Sequence, residues 1–182
     1  MLVALSGTPG TGKTSVSNLL KNQGYSIIDL NQIAIDYGFV TGYDGKRDTK
    51  IIDIEGLDIY IKEKYKKNGI VFVDGHSSHL LTAADYTIIL RCHPKVLKQR
   101  LKTKGWKFEK IKENVETETL DIILSEAYDL HDEKKIFEID TTEKSIESVF
   151  DSILEIIEKN FESIKKYKIG NIDWSEEIFN DF

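Results

Sequence analysis

A chain of 182 residues with 40% hydrophobic content can bury one compact core but is too short for two full domains. Its 31 acidic residues against 25 basic ones give a net charge of −6, which excludes a broad nucleic-acid footprint because that requires a basic surface. The single cysteine, Cys92, excludes an internal disulfide and a cysteine-rich metal site; with no run near the ~18 apolar residues of a membrane span and no secretion-signal pattern, a soluble cytoplasmic protein is expected.

The first element is a strand over Leu2–Ser6, followed at once by Gly7-Thr8-Pro9-Gly10-Thr11-Gly12-Lys13-Thr14. That octet fits G-x-x-x-x-G-K-[ST], the phosphate-binding loop of NTPases. Its glycines let the backbone curl so that N–H groups converge on a phosphate, and a bulkier residue at Gly10 or Gly12 is expected to block that approach. Lys13 supplies positive charge to the terminal phosphates, and the Thr14 hydroxyl is placed to ligate Mg²⁺. A helix over Lys13–Asn22 follows, with Val16, Leu19 and Leu20 on one face and its positive dipole end at the loop.

Further strands are predicted at Tyr25–Asp29, Ile70–Asp74, Tyr86–Arg91 and Ile136–Ile139, from short β-branched and aromatic runs. Between them helical patterns cover Leu30–Tyr37, Asp53–Lys67, Pro94–Lys104, Lys110–His131 and Ser145–Lys159. Such alternation predicts a doubly wound five-stranded parallel sheet covered on both faces. Two stretches break the winding: Phe39–Lys50, which shows no clear period, and Lys104–Lys110, a short Gly-aromatic-Lys segment. Ligands of such sheets sit beyond the carboxyl ends of the strands, so both are candidate lids. The charge runs Lys62–Lys67 and Glu162–Lys168 are expected to be solvated helix faces. The tail from Gly170 to Phe182 mixes Ile172, Trp174, Ile178 and Phe179 with acids; it is either a strap over the core or a partner-binding segment.

Ile70-Val71-Phe72-Val73-Asp74 ends an apolar strand in a carboxylate, which in a phosphate-loop fold reaches Mg²⁺. His76, two residues on, can orient a water or a substrate hydroxyl. His76 and His79 lack the further ligands that zinc requires, and His93 and His131 read as surface or cap residues. Only Arg47, Arg91 and Arg100 interrupt the preference for lysine, and their positions beside the two insertions and at a strand end suit phosphate binding.

With these pieces in place the chain resembles, over nearly its whole length, the small adenylate kinase of archaea and eukaryotic nuclei, adenylate kinase isoenzyme 6, which doubles as a small-subunit ribosome assembly factor. The matching segments are the Gly7–Thr14 loop, Thr41–Asp48, Val73–His76, Leu90-Arg91, Arg100–Trp106, Glu113–Glu116, Ile139–Thr142 and the acidic tail around Asp173–Glu177. The resemblance implies a single P-loop domain of nucleoside monophosphate kinase type. Residues 29–52 would bind the monophosphate, residues 103–113 would form a short lid, and residues 170–182 an acidic aromatic tail. ATP would be bound by Gly10, Gly12, Lys13, Thr14, Ser15, Lys104, Asp140, Thr141 and Thr142, with Arg100 beside the adenine. Asp29, Arg47 and Arg91 are the candidates for the monophosphate, Thr14 and Asp74 for Mg²⁺, and Lys13, Asp74, His76 and Arg100 for catalysis. The chain departs from the family pattern at Lys104 and Ile35, where arginine is expected.

Three functions follow as expectations. The first is transfer of the ATP γ-phosphate to AMP. The second is ATP hydrolysis coupled to holding a basic small-subunit ribosomal protein, and the two can coexist. The third is a kinase acting on another small acceptor, such as a hydroxyl-bearing metabolite.

Overall fold

The computed structural model describes residues 1–45, 49–65, 69–162 and 164–179. Among these residues, seven strands run in chain order: β1 (Leu2–Ser6), β2 (Ser26–Asp29), β3 (Val40–Asp44), β4 (Thr49–Ile52), β5 (Val71–Asp74), β6 (Tyr86–Arg91) and β7 (Ile136–Asp140). The α-helices are α1 (Lys13–Asn22), α2 (Leu30–Asp36), α3 (Ile54–Lys64), α4 (Pro94–Thr103), α5 (Phe108–Thr119), α6 (Ile122–Leu130) and α7 (Ile146–Glu158). Five strands form the expected parallel sheet in the order β2-β5-β1-β6-β7.

Side chains alternate across the sheet, and both faces are buried. Val3, Leu5, Phe72, Ile88, Leu90 and Phe137 point to a core completed by Val16 and Leu20 of α1 and by Val149, Phe150, Ile153 and Ile156 of α7. Leu2, Ile28 and Val73 join Leu30, Ala34, Leu57 and Ile61 of α2 and α3 in a second cluster. A third, smaller cluster packs α4 on α5 through Leu97, Leu101, Ile111 and Val115. The chain reverses direction across the sheet at β1, whose neighbours β5 and β6 lead to opposite edges, so a crevice opens beyond the carboxyl ends of these strands.

Three expectations are corrected. The described residues of Phe39–Lys50 are not irregular: they contribute to a two-stranded antiparallel ribbon, β3 with β4, pairing Val40 with Ile52 and Asp44 with Thr49. A bulge between Val40 and Gly42 breaks the alternation there, which hides the ribbon from a period-two pattern. The helix predicted over Lys110–His131 is two helices. Asp121 sits in the left-handed region at φ 53, and the Glu118 carbonyl accepts from Arg91 Nη2 at 3.3 Å and from Asp121 N–H at 3.3 Å. A continuous helix would have given that carbonyl to Ile122, so Arg91 and Asp121 divert the acceptor that would have continued the ladder. The described residues of Glu162–Lys168 hold a short 3-10 turn at Lys165–Tyr167 with Tyr167 buried, rather than a solvated α-helix face. Lys66, Lys67 and Arg47 lie outside the described residues.

Candidate phosphoryl-transfer site

β1 delivers the phosphate loop to the crevice, and α1 leaves it with Gly12 as N-cap in the left-handed region, φ 104. Gly7 has φ +138, and a Cβ on it would lie 2.3 Å from the Leu90 carbonyl oxygen, so the loop is pressed onto the end of β6. At Gly10 the tight approach comes from Leu97 and Leu101 of α4, 2.8 and 3.0 Å from an added Cβ. Glycine is favoured there both by its φ of +100 and by this packing against a helix.

A cavity of about 250 Å³ opens at the loop, lined by Gly10, Gly12, Lys13, Thr14, Ser15, Asp29, Asp74, His76 and Lys104, together with Pro9, Asn31 and Gly75. Nine of the residues singled out by sequence therefore meet around one space. Lys13 Nζ donates to the Thr8 carbonyl at 3.1 Å and to that of Gly7. Burial lowers its pKa to about 8, against the pull of Asp74 and Glu118. Asp29 and Asp74 end adjacent parallel strands in register. Burial raises the Asp74 pKa, with Lys13 opposing and Asp29 reinforcing the rise. Asp29 also caps α2 by accepting from Gln32 N–H at 3.0 Å. His76 stands at the lip, open to solvent on one side; its crowded setting first, then Lys13, His79 and Lys110, hold its pKa below the ordinary imidazole value.

A second cavity of about 610 Å³ adjoins the first and shares Pro9, Asn31 and His76 with it. Its walls come from the ribbon (Val40, Thr49, Lys50, Ile52), from α2 (Ile35) and from Trp106, Lys110, Glu113, Asn114, Thr117, His79 and Glu126. Both interruptions of the winding thus border the crevice. Ile35 is an apolar part of this wall, and Lys50 and Lys110 are the cations described along it. Lys110 also sits over the Trp106 ring, 4.9 Å from its centre.

Arg100, Asp140, Thr141 and Thr142 come together elsewhere and do not line either cavity. Arg100 Nη2 donates to the carbonyls of Thr141 at 2.7 Å and Thr142 at 3.0 Å. Asp140 caps this turn by accepting from Thr142 N–H at 2.9 Å.

The structure does not bring Arg91 to the crevice. Its side chain is 2% exposed and donates from Nε to Glu118 at 2.8 Å, from Nη1 to Glu138 at 2.5 Å and from Nη2 to Asp121. Burial opposes its charge, but Glu118 and Asp121 more than offset this and its pKa is raised. Each of its three nitrogens donates to protein, and the side chain is buried away from both cavities, so it is not presented to a substrate phosphate.

Sequence reasoning missed two buried groups. His79 bridges Ser6 Oγ at 2.9 Å and Glu126 at 2.9 Å, tying the end of β1 to α6. Glu118 accepts from Thr8 of the phosphate loop at 2.5 Å as well as from Arg91. A glutamate in a charged helical stretch carries no local sign of burial. The tail packs on its own domain: Trp174 lies against His93, 5.0 Å between ring centres, and Glu177 pairs with Lys95 at 2.8 Å.

Two solved structures share this fold. Shikimate kinase from Bacteroides thetaiotaomicron superposes with a TM-score of 0.58 at 18% identity, over 87% of this chain and 98% of that one. Deoxyadenosine kinase from M. mycoides gives 0.54 at 17%, over 88% and 100%. The AAA domain model matches residues 3–121. A protein of Methanocaldococcus jannaschii is 39% identical over 99% of this chain and 96% of its own length, and one of Archaeoglobus fulgidus 44% identical over 98% and 94%; both carry the name "Putative adenylate kinase". The chain belongs to the AAA-domain family and, within it, to the archaeal adenylate kinase family of these two relatives.

Proposed function

We propose that the protein is an adenylate kinase, moving the γ-phosphoryl group of ATP to AMP with Mg²⁺. The observation that carries this reading is the pair of adjoining cavities, one built on the phosphate loop and the other walled by the ribbon, α2 and α5, with His76 between them. Two nucleotides bound end to end would meet at that junction. In the transfer, an AMP phosphate oxygen forms a bond to the γ-phosphorus while the bond to the β,γ-bridging oxygen breaks. No covalent enzyme intermediate is needed, because alignment and charge stabilisation supply the rate.

Lys13 neutralises charge on the transferred group, with Lys104 across the same cavity as a second cation. Loop N–H groups and the α1 terminus hold the remaining phosphate oxygens. Thr14 and Asp74 fit Mg²⁺, since both are hard oxygen donors on one cavity and this ion takes few protein ligands. When bound, it would neutralise phosphate charge. Lys50 and Lys110, on the second cavity, are the candidates for the acceptor phosphate, with Asp29 on the loop cavity beside them in this reading. Arg100 with Asp140–Thr142 is the candidate adenine contact on the ATP side.

The test is an ATP-dependent assay with AMP and Mg²⁺ and a screen of other acceptors. No AMP-dependent ADP formation sinks the reading, and faster turnover on a hydroxyl-bearing metabolite redirects it.

A second activity, ATP hydrolysis in small ribosomal subunit maturation, is supported by His76. Its lowered pKa keeps the imidazole neutral near pH 7, beside Asp74, where it can accept a hydrogen bond from an attacking water. The acidic surplus suits a basic ribosomal protein as partner, in the cytoplasm. Hydrolysis without AMP that does not respond to such a partner would count against it. No helix among the described residues is long and apolar enough to cross a membrane.

A further inference from the structure

Thr8 belongs to the phosphate loop, yet its side chain turns away from the cavity and is fully buried. Its hydroxyl donates to Glu118 Oε2 at 2.5 Å. Its carbonyl accepts from Lys13 Nζ at 3.1 Å, from Thr11 N–H at 3.2 Å and from the Thr11 hydroxyl at 2.9 Å. Thr8 is therefore gripped on one side by α5 and on the other by the groups that shape the loop's first turn. The preceding Gly7 passes close to the Leu90 carbonyl, whose oxygen would lie 2.3 Å from an added Cβ.

The other oxygen of Glu118, Oε1, accepts from Arg91 Nε at 2.8 Å, from Cys92 N–H at 3.1 Å and from the Trp174 indole at 3.4 Å. One carboxylate thus joins the loop to the end of β6. An acceptor-only group is required: an amide would turn its NH₂ either toward the Arg91 and Cys92 donors or toward the Thr8 hydroxyl, whose own proton would then lose its acceptor. The negative charge of Glu118 also acts on Lys13, favouring its ammonium form.

We propose that Glu118 is a positioning residue for ATP: acting through the Thr8 hydroxyl, it fixes the first turn of the phosphate loop and with it the Lys13 ammonium. This rests on the reading of the loop cavity as the ATP site. Glu118 itself lines neither cavity, so it reaches the site through the Thr8 hydroxyl, with its charge on Lys13 acting in the same direction.

The experiment measures, by calorimetry on the full chain, binding of the non-hydrolysable β,γ-imido analogue of ATP with Mg²⁺ and, separately, of AMP. Thr8→Val, which deletes the hydroxyl and keeps the shape, is expected to weaken the analogue about tenfold while changing AMP by less than about twofold. Thr8→Ser, which keeps the hydroxyl, is expected to bind the analogue at least about fivefold tighter than Thr8→Val. In a Thr8→Val/Glu118→Gln cycle the double variant binds no worse than the weaker single, because both changes break one link. A purely structural role predicts instead that analogue and AMP weaken together, or that the two changes multiply; either result overturns the proposal. So does undiminished analogue binding by Thr8→Val beside a wild-type chain that binds it. A wild-type chain that binds no analogue overturns the ATP-site reading and this proposal together. If Thr8→Val does not fold, Thr8→Ala against Thr8→Ser decides the same question.

Discussion

Arg91 donates to Glu118 at 2.8 Å where both side chains are only 2% exposed, so the end of β6 carries a buried charge pair with Glu138 and Asp121 around it. Arg91→Leu leaves those carboxylates without their cation, and a loss of about 3–5 kcal/mol is expected, as for other buried pairs broken from one side. Urea unfolding near neutral pH measures it. A loss under about 1 kcal/mol would mean the carboxylates find other compensation.

Lys13 sets a pH signature. Its pKa is lowered to about 8, chiefly by burial, from an ordinary value of 10.5. Between these values the unfolded chain binds more protons than the native one, so native stability from this group rises as pH climbs through the window. Below it, both states carry the charge and the burial penalty is constant. ATP affinity has the opposite slope, since a phosphate needs the ammonium, and is expected to fall above about pH 8. ATP titrations either side of that pH, with Lys13→Met unfolding as control, check both signs; an affinity flat with pH contradicts the assignment.

Two glycines separate loop packing from simple backbone strain. Gly7→Ala would set a methyl carbon 2.3 Å from the Leu90 carbonyl, whereas Gly24, also at positive φ (+92), has nothing within 4 Å of an added Cβ. Gly24→Ala is expected to cost about 1–2 kcal/mol and leave ATP binding intact. Gly7→Ala must lift the loop off β6, and an ATP affinity lower by at least about tenfold is expected. Equal ATP binding by the two variants would refute the close approach.

Deleting residues 170–182 removes the Gly170 N–H that Glu138 Oε2 accepts at 2.8 Å, together with the Trp174 cover. A loss of about 1–3 kcal/mol is expected for that buried acceptor left open. Lys95→Ala, breaking the exposed pair with Glu177, should change stability by less than about 0.5 kcal/mol. Thermal or urea unfolding of both variants ranks them, and the reverse order would place the tail's hold in its surface charges.

Much of this architecture is legible locally. Leu2–Ser6, Tyr86–Arg91 and Lys13–Asn22 are bounded as their apolar patterns indicate, because each is a short element between a clear start and a clear stop. The cavity residues around Lys13 are legible too, since the loop motif fixes its own geometry and the Asp74 strand pairs beside β1. Other features depend on partners far along the chain. The pattern from Ile111 through Val115 to Ile123 and Ala127 stays helical across Asp121, and only Arg91, 30 residues earlier, supplies the donor that accompanies the break. Arg91 itself looks like a phosphate ligand because arginine is scarce in this chain; that it faces inward is decided by Glu118 and Glu138. Glu118 and Thr8 are 110 positions apart, and no spacing rule connects them.

During biosynthesis the amino-terminal loop, α5 and β7 all emerge before Gly170 and Trp174 are added. The carboxylates Glu138 and Glu118 therefore wait for this later segment to supply two of their donors. A nascent chain can wind its strands early, but the bonding around the phosphate loop closes only once Trp174 has been made.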